Sequence, residues 1–292
     1  MPDLSVIIPA RNEIYLTKMI TDLLVKSQGE TEIIVILDGY WGETPIDNPK
    51  VTYLHLGQAK GMRNAINLGI SIAKGKYLMK SDAHCLFAPG YDVALTKDCA
   101  ENWLVIPRRY SLHAAEWRPD KRMTVKDYHY LSFPRPSSYG CGTFPQEWRE
   151  RTYRRLSGPE IDDTMTFQGS CWVANKKYFM KQVGFLDDRM ETYSTFSGEP
   201  LEVGLKYWLG GGEVKVNKKT WYAHLFKNEN YYRGRSKDRK YKKDLKSVAG
   251  HTWAAKHWLN NEEPNMVHPF SWLAEKFWPV PTWPEDRELW KI

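Results

Sequence analysis

The strongest constraint on the fold is an alternation, running through residues 1–107, of short β-branched apolar runs with segments of helical period. "LSVIIPA" (4–10) and "TEIIVILD" (31–38) are continuous apolar runs, as expected of strands buried on both faces of a sheet. Between them Leu16, Met19, Ile20, Leu23 and Leu24 recur at the spacing of one helix face. "VTYLHL" follows the turn-rich "GETPIDNPK", and "AKGMRNAINLGISIAKG" reads as a helix closed by Gly75. The strands "KYLMKSD" and "WLVIPR" come next. This order predicts an α/β fold with a mostly parallel central sheet and flanking helices. Such sheets bind ligands beyond the carboxyl ends of their strands, which here carry Pro9 to Glu13, Asp38, and Asp82 with His84.

Residues 108–166 are rich in Pro, Arg, Tyr and Trp and weak in periodicity, which predicts a long insertion or lid. Regular structure returns with "FQGSCWVANKKYFMKQVGF", a strand then a helix, and "GEPLEVGLKYWLGGG", a helix with Leu201, Leu205 and Trp208 on one face. "EVKVNKKTWYAHLF" reads as a strand pair. The expected organisation is a domain over 1–226, in parts 1–107, 108–166 and 167–226, with a basic, Trp-rich extension over 227–292 packed on it. In that extension Trp253, Trp258, Trp272, Trp278, Trp283 and Trp290, spaced by prolines, are expected to bury aromatic area against the domain.

Apolar residues at 42% and aromatic residues at 14% exclude a disordered chain. No apolar run reaches the roughly 18 residues of a membrane span, and no leader-like stretch precedes the first strand, so the expected location is cytoplasmic. The four cysteines lie far apart without a C-x-x-C pair, which favours reduced thiols over a disulfide frame or a zinc site. The net charge of +7 is uneven. Nine Lys or Arg face three acids between Lys227 and Lys246, and a second basic stretch runs from Arg108 to Arg155 among Tyr, Trp and Pro. Solvated faces are the plain explanation of such runs; a surface for a polyanion is the sharper one.

Asp82 and His84 stand two apart at a strand end, where extended backbone would point both side chains at one ligand. A carboxylate oxygen and a neutral imidazole nitrogen suit a divalent ion such as Mn²⁺ or Mg²⁺, with positions left open for substrate oxygens. Glu199 and Glu202 open a predicted helix after Ser197, a place where acids also serve the helix N-terminus.

"SVIIPARNE", "VILDG", "GMRNAINLGISIAKGKYLMKSDAHC", "FQGSCWVANKKYFMKQVGFLDD" and "SGEPLEVGLKYWLGGG" follow one another in an order that resembles the GT-A glycosyltransferases of the family 2 type. The D-x-H, the G-E-x-x-E and "WYAHLF" are most similar to the polypeptide N-acetylgalactosaminyltransferases. The resemblance covers residues 4–107 and 167–226, and neither 108–166 nor the chain after 227. It implies that 1–107 is the nucleotide-sugar half and 167–226 the acceptor and metal half, with Asp82, His84 and His224 as metal ligands. Pro9, Ala10, Arg11 and Glu13 match the segment holding base and ribose, and Asp38 the carboxylate on uracil. Gly61, Arg63 and Asn64 match the segment beside ribose and diphosphate, while Ala83, Gly169 and Trp172 fall beside the nucleotide-sugar, with core packing an equal alternative for Trp172. Glu199 is implied on the acceptor side, orienting or deprotonating the attacking hydroxyl; Glu202 is expected to be structural. Lys227 and Arg233 would add positive charge from a closing loop.

The implied activity is metal-dependent transfer from a UDP-sugar to a hydroxyl. The acceptor is a surface-glycan precursor or a hydroxymethylated base in DNA, the latter bound through 108–155 and 227–246. The other classes are a nucleotidyltransferase, for which "PARNE" lacks the Gly-rich signature, and a non-catalytic nucleic-acid-binding protein on a transferase fold.

Overall fold

The computed structural model describes residues 2–40, 45–137, 140–193, 198–226 and 245–290. The first part runs β1 (Leu4–Ala10), α1 (Leu16–Lys26), β2 (Thr31–Asp38), β3 (Val51–Leu56), α2 (Met62–Ile72), β4 (Tyr77–Ser81), β5 (Cys85–Phe87), α3 (Tyr91–Lys97) and β6 (Trp103–His113). A series of short elements follows: β7 (Arg118–Pro119), β8 (His129–Leu131), β9 (Arg135–Ser137), β10 (Gly140–Gly142), β11 (Pro145–Glu147), α4 (Arg149–Arg154) and β12 (Ile161–Asp163). The chain then returns to β13 (Cys171–Asn175), α5 (Lys176–Gln182), α6 (Glu199–Leu209), β14 (Glu213–His224), α7 (Leu245–Leu259) and α8 (Phe270–Lys276).

The main sheet has the order β12-β14-β6-β13-β4-β1-β2-β3. The block β4-β1-β2-β3 is parallel throughout, and β6 is parallel to β14. β13 joins the two blocks by running antiparallel to both β4 and β6. Period-two alternation divides the apolar runs between the two faces. Ile7, Ile34, Ile36, Leu78 and Trp172 enter one core with α2 and α6, whereas Val6, Ile8, Val35, Met79 and Val173 enter the other with Met19, Ile20 and Leu23 of α1. Double-sided burial is why these strands carry no polar alternation.

Several boundaries differ from the sequence expectation. Arg108 is not the start of an insertion, because β6 continues through His113 beside β14. The expected strand pair after Gly212 is one strand, β14, with a register shift between Asn217 and Trp221. Asp82, Ala83 and His84 form a turn between β4 and β5, so their side chains converge by turn geometry and not by strand alternation. The tail shares the first core: Trp258, Trp283 and Trp290 are buried in it, and Trp253, Trp272 and Trp278 pack against it. The basic stretch 227–246, with Lys227 and Arg233, lies outside the residues described with their side chains. No helix among the described residues is long and apolar enough to cross a membrane.

Candidate functional site

Sheet register assembles the site. β14 pairs antiparallel with β5, and His224 lies opposite Cys85, so the last residue of β14 arrives beside His84. The His224 Nε2 is 3.2 Å from His84 Nε2 and 3.3 Å from Asp82 Oδ2, and Asp82 Oδ2 is 3.9 Å from His84 Nε2. One ligand atom from each of the three lies within 4.8 Å of the others. Three ligands bonded at about 2.1 Å to one tetrahedral or octahedral ion stand about 3.0–3.4 Å apart, so this donor set fits a divalent cation.

Two further observations support that fit. His84 Nδ1 lies 3.3 Å from Glu13 Oε2, which places a carboxylate beside Nδ1 while Nε2 faces Asp82 and His224. Burial pulls the His224 imidazole down to about 4, against the attraction of Asp82, so it stays neutral and able to ligate at physiological pH. Burial also works against the Asp82 carboxylate, but Lys80 and both imidazoles outweigh it and hold its pKa well below the ordinary carboxylate range.

Lys80, which sequence reasoning missed, is the hinge between this triad and Glu199. It is buried in β4 directly opposite Trp172 of β13. Its Nζ lies 2.7 Å from Asp82 Oδ1 and 3.2 Å from Glu199 Oε2, and it also donates to the Gly169 carbonyl. The two carboxylates outweigh burial and raise its pKa, so it is a fixed cation. The signal was present: a lysine inside "YLMKSD" must be paired if the strand is buried. Glu199 also accepts from Trp172 Nε1 at 2.6 Å, and burial raises its pKa despite these partners. Gly169 makes room for it, since a Cβ there would stand 3.1 Å from Glu199 Oε2. The Asp82 amide donates to the Ser170 carbonyl at 2.9 Å, tying the 168–172 loop to the triad.

The remaining expected site residues take other positions. Trp172 is fully buried and stacks on Phe179, so it supports Glu199 and offers no face to a sugar. Arg63 is equally buried; it pairs with Glu202, donates to the Asp187 carbonyl at 2.9 Å and lies 4.3 Å from the Tyr193 ring centroid. Its charge is therefore committed to the core, because a buried guanidinium keeps its carboxylate. Asp38, at the end of β2, accepts from the Lys60 and Gly61 amides at 2.7 and 3.1 Å, holding the turn in which Gly61 takes φ +96° before α2. Asn64 Nδ2 reaches Asp188 Oδ2 at 3.3 Å. Pro9 and Ala10 end β1, Arg11 is exposed just beyond them, and Ala83 is buried between the ligands. Glu202 accepts from Lys206 at 2.9 Å besides pairing with Arg63, as a structural acid should.

Much of the charge in the 108–155 stretch is matched internally. Arg108 pairs with Asp127 at 2.7 Å, Arg122 with Asp120 at 2.8 Å and Arg155 with Asp162 at 2.9 Å. Arg118 pairs with Glu116 and Arg154 with Glu150, while Arg151 lies against the rings of Tyr128, Trp148 and Phe277.

Comparison with known proteins gives a consistent picture. The mouse polypeptide N-acetylgalactosaminyltransferase 3 is 27% identical over 245 residues, 79% of this chain and 38% of that protein. The human polypeptide N-acetylgalactosaminyltransferase 12 is 24% identical over 341 aligned positions, 98% of this chain and 53% of its own length. This chain thus spans between about a third and a half of these two relatives. A crystal structure of GalNAc-T7 with UDP, GalNAc and Mn²⁺ superposes with a TM-score of 0.66 at 17% identity, covering 88% of this chain and 49% of that one, which shows a shared GT-A fold. Residues 5–182, more than half of the sequence, match the family described as glycosyl transferase family 2, and the chain belongs to that family.

Proposed function

We propose that this chain is a divalent-metal-dependent glycosyltransferase that moves a sugar from a UDP-sugar to a hydroxyl acceptor. The observation that carries this reading is the convergence of Asp82, His84 and His224, with Glu199 one lysine away. The named relatives and the UDP and Mn²⁺ of the GalNAc-T7 crystal support it by likeness.

Asp82, His84 and His224 would hold the ion, with Glu13 beside His84 Nδ1. Bound Mn²⁺ supplies a fixed dication that stabilises negative charge on a departing diphosphate. Pro9, Ala10, Arg11, Asp38, Gly61 and Asn64 sit at or beside the carboxyl ends of β1 and β2, where the nucleotide would lie. Lys80 holds Asp82 and Glu199 in one geometry, so the metal and acceptor sides are set together. Glu199 orients the acceptor hydroxyl or takes its proton, and burial, by raising its basicity, suits it to the second task. Internal pairing of Arg108, Arg118, Arg122, Arg154 and Arg155 leaves less free charge for a DNA acceptor in this stretch and favours a glycan hydroxyl.

Calorimetry of UDP with and without Mn²⁺ tests the reading. Wild-type protein is expected to bind UDP in Mn²⁺ and to lose it in EDTA, and Asp82→Asn should weaken binding at least about 100-fold. Equal UDP affinity in the variant, or binding indifferent to EDTA, would sink the proposal.

A further inference from the structure

Beyond the triad and the Lys80 bridge, the described molecule holds one conspicuous buried cation without a carboxylate partner, Arg109. Its side chain is buried, and its Nε and Nη1 have no hydrogen-bond partner. Only Nη2 is engaged, 2.9 Å from His129 Nε2. Burial and the neighbouring Arg109 and Lys126 hold His129 well below its ordinary pKa, so its ring is neutral and orients the guanidinium without cancelling its charge. Glu147, the acid whose charge reaches Arg109, lies nearer other cations: 4.0 Å from Lys126 and 3.6 Å from Arg149. A desolvated guanidinium with open donors is costly, and its presence in a fold calls for an anion to meet it.

Its position says which anion. Arg109 stands on β6 opposite Tyr222 of β14, two residues before the metal-site His224. The Phe226 ring joins the two places. Its centroid is 4.9 Å from the His224 ring, 5.3 Å from the Arg109 guanidinium carbon and 4.4 Å from Lys126 Nζ. Lys126 is fixed by its amide, which donates to the Arg109 carbonyl at 2.9 Å. Two cations therefore lie behind one aromatic ring, next to the place where sugar chemistry is proposed.

We propose that Arg109 and Lys126 form an anion subsite beside the metal centre, taking a carboxylate or phosphate carried by the sugar being transferred or by the acceptor. The inference rests on the glycosyltransferase reading and sharpens it: one of the two substrates is an acidic saccharide. Arg109 would supply a planar pair of donors to the oxyanion, and Lys126 a second positive charge.

The test compares acidic and neutral partners within each variant, so that a general loss of folding cancels. In Mn²⁺, dissociation constants are measured for UDP, UDP-glucose and UDP-glucuronate. Initial rates are measured in parallel with neutral glycosides and with glycosyl phosphates or uronates as acceptors. Wild type is expected to prefer the acidic member of one arm by about tenfold or more. Arg109→Met should bring that ratio to within about twofold, Lys126→Met should reduce it less, and Arg109→Lys should retain part of it. A preference in the donor arm assigns the anion to the transferred sugar, and one in the acceptor arm to the acceptor. UDP binding with no acidic preference in either arm overturns the subsite. Equal weakening of UDP and both UDP-sugars in Arg109→Met also overturns it, because Arg109 would then serve the nucleotide or the fold. Absence of UDP binding in wild type sinks the donor reading itself, and the subsite with it.

Discussion

Glu199 and Glu202 lie in the first turn of one helix, both buried, yet their surroundings differ in charge balance. Glu202 pairs with Arg63 and with Lys206, which also lies 3.9 Å from Glu263, and it accepts from the Asp187 amide at 3.2 Å. Glu199 has half a cation: Lys80 is shared with Asp82, and the other contact is the neutral Trp172 indole. Where cations match carboxylates, the group is a strut. Where carboxylates exceed cations beside an open metal triad, the negative charge is left for a ligand, and the acid's pKa is pushed up by burial. Residue type and helix position do not separate the two roles; the ratio of cations to carboxylates does.

That contrast can be broken by experiment. The largest effect is expected from Glu199→Gln, which should lower kcat by about 10²–10⁴ while leaving UDP affinity in Mn²⁺ close to wild type. Full turnover in this variant would return Glu199 to a helix-end role. Glu202→Gln should do the reverse. Leaving Arg63 buried with a weakened partner should cost about 3–5 kcal/mol and lower Tm by roughly 10 °C, read by calorimetry. A melting curve unchanged from wild type would show that Arg63 does not depend on Glu202.

The smallest effect is a pH dependence. Burial raises the folded-state pKa of Glu199 above its ordinary 4.5, so the folded protein keeps a proton that the unfolded chain releases. Its stability contribution is complete below pH 4.5 and declines as pH rises through the folded value. In EDTA, Glu199→Gln should therefore melt a few degrees above wild type at neutral pH, and the gain should vanish below the ordinary carboxylate range. A gain that grows on acidification would contradict the direction of the shift.

Much of the fold was legible because its signals are local. Ile7 and Ile8 divide between two cores by simple alternation, and Met19, Ile20 and Leu23 show their helix face by spacing alone. Asp82 and His84 were legible as a pair from their spacing at a strand end, but His224 only through likeness: His84 and His224 are 140 positions apart, and nothing in either local pattern predicts a 3.2 Å approach. The expected phosphate role of Arg63 placed a polar residue on the ligand side, and Trp172 was open to a sugar contact or to core packing. In the fold both face the core, Arg63 with Glu202 and Trp172 between Phe179 and Glu199. Lys80 and Arg109 went unremarked because a lysine or arginine near a strand end ordinarily reaches solvent.

Period and composition by themselves determined the α/β class, the double-sided burial of β1, β2 and β4, and the strand ends at which a site could form. Strand register and turn geometry decided the rest. The pairing of β5 with β14 brought His224 to His84, and β4 with β13 set Lys80 against Trp172 and Glu199. Hydrophobic periodicity is a property of neighbours along the chain, whereas the charge balance at a site depends on which distant side chains share one buried volume.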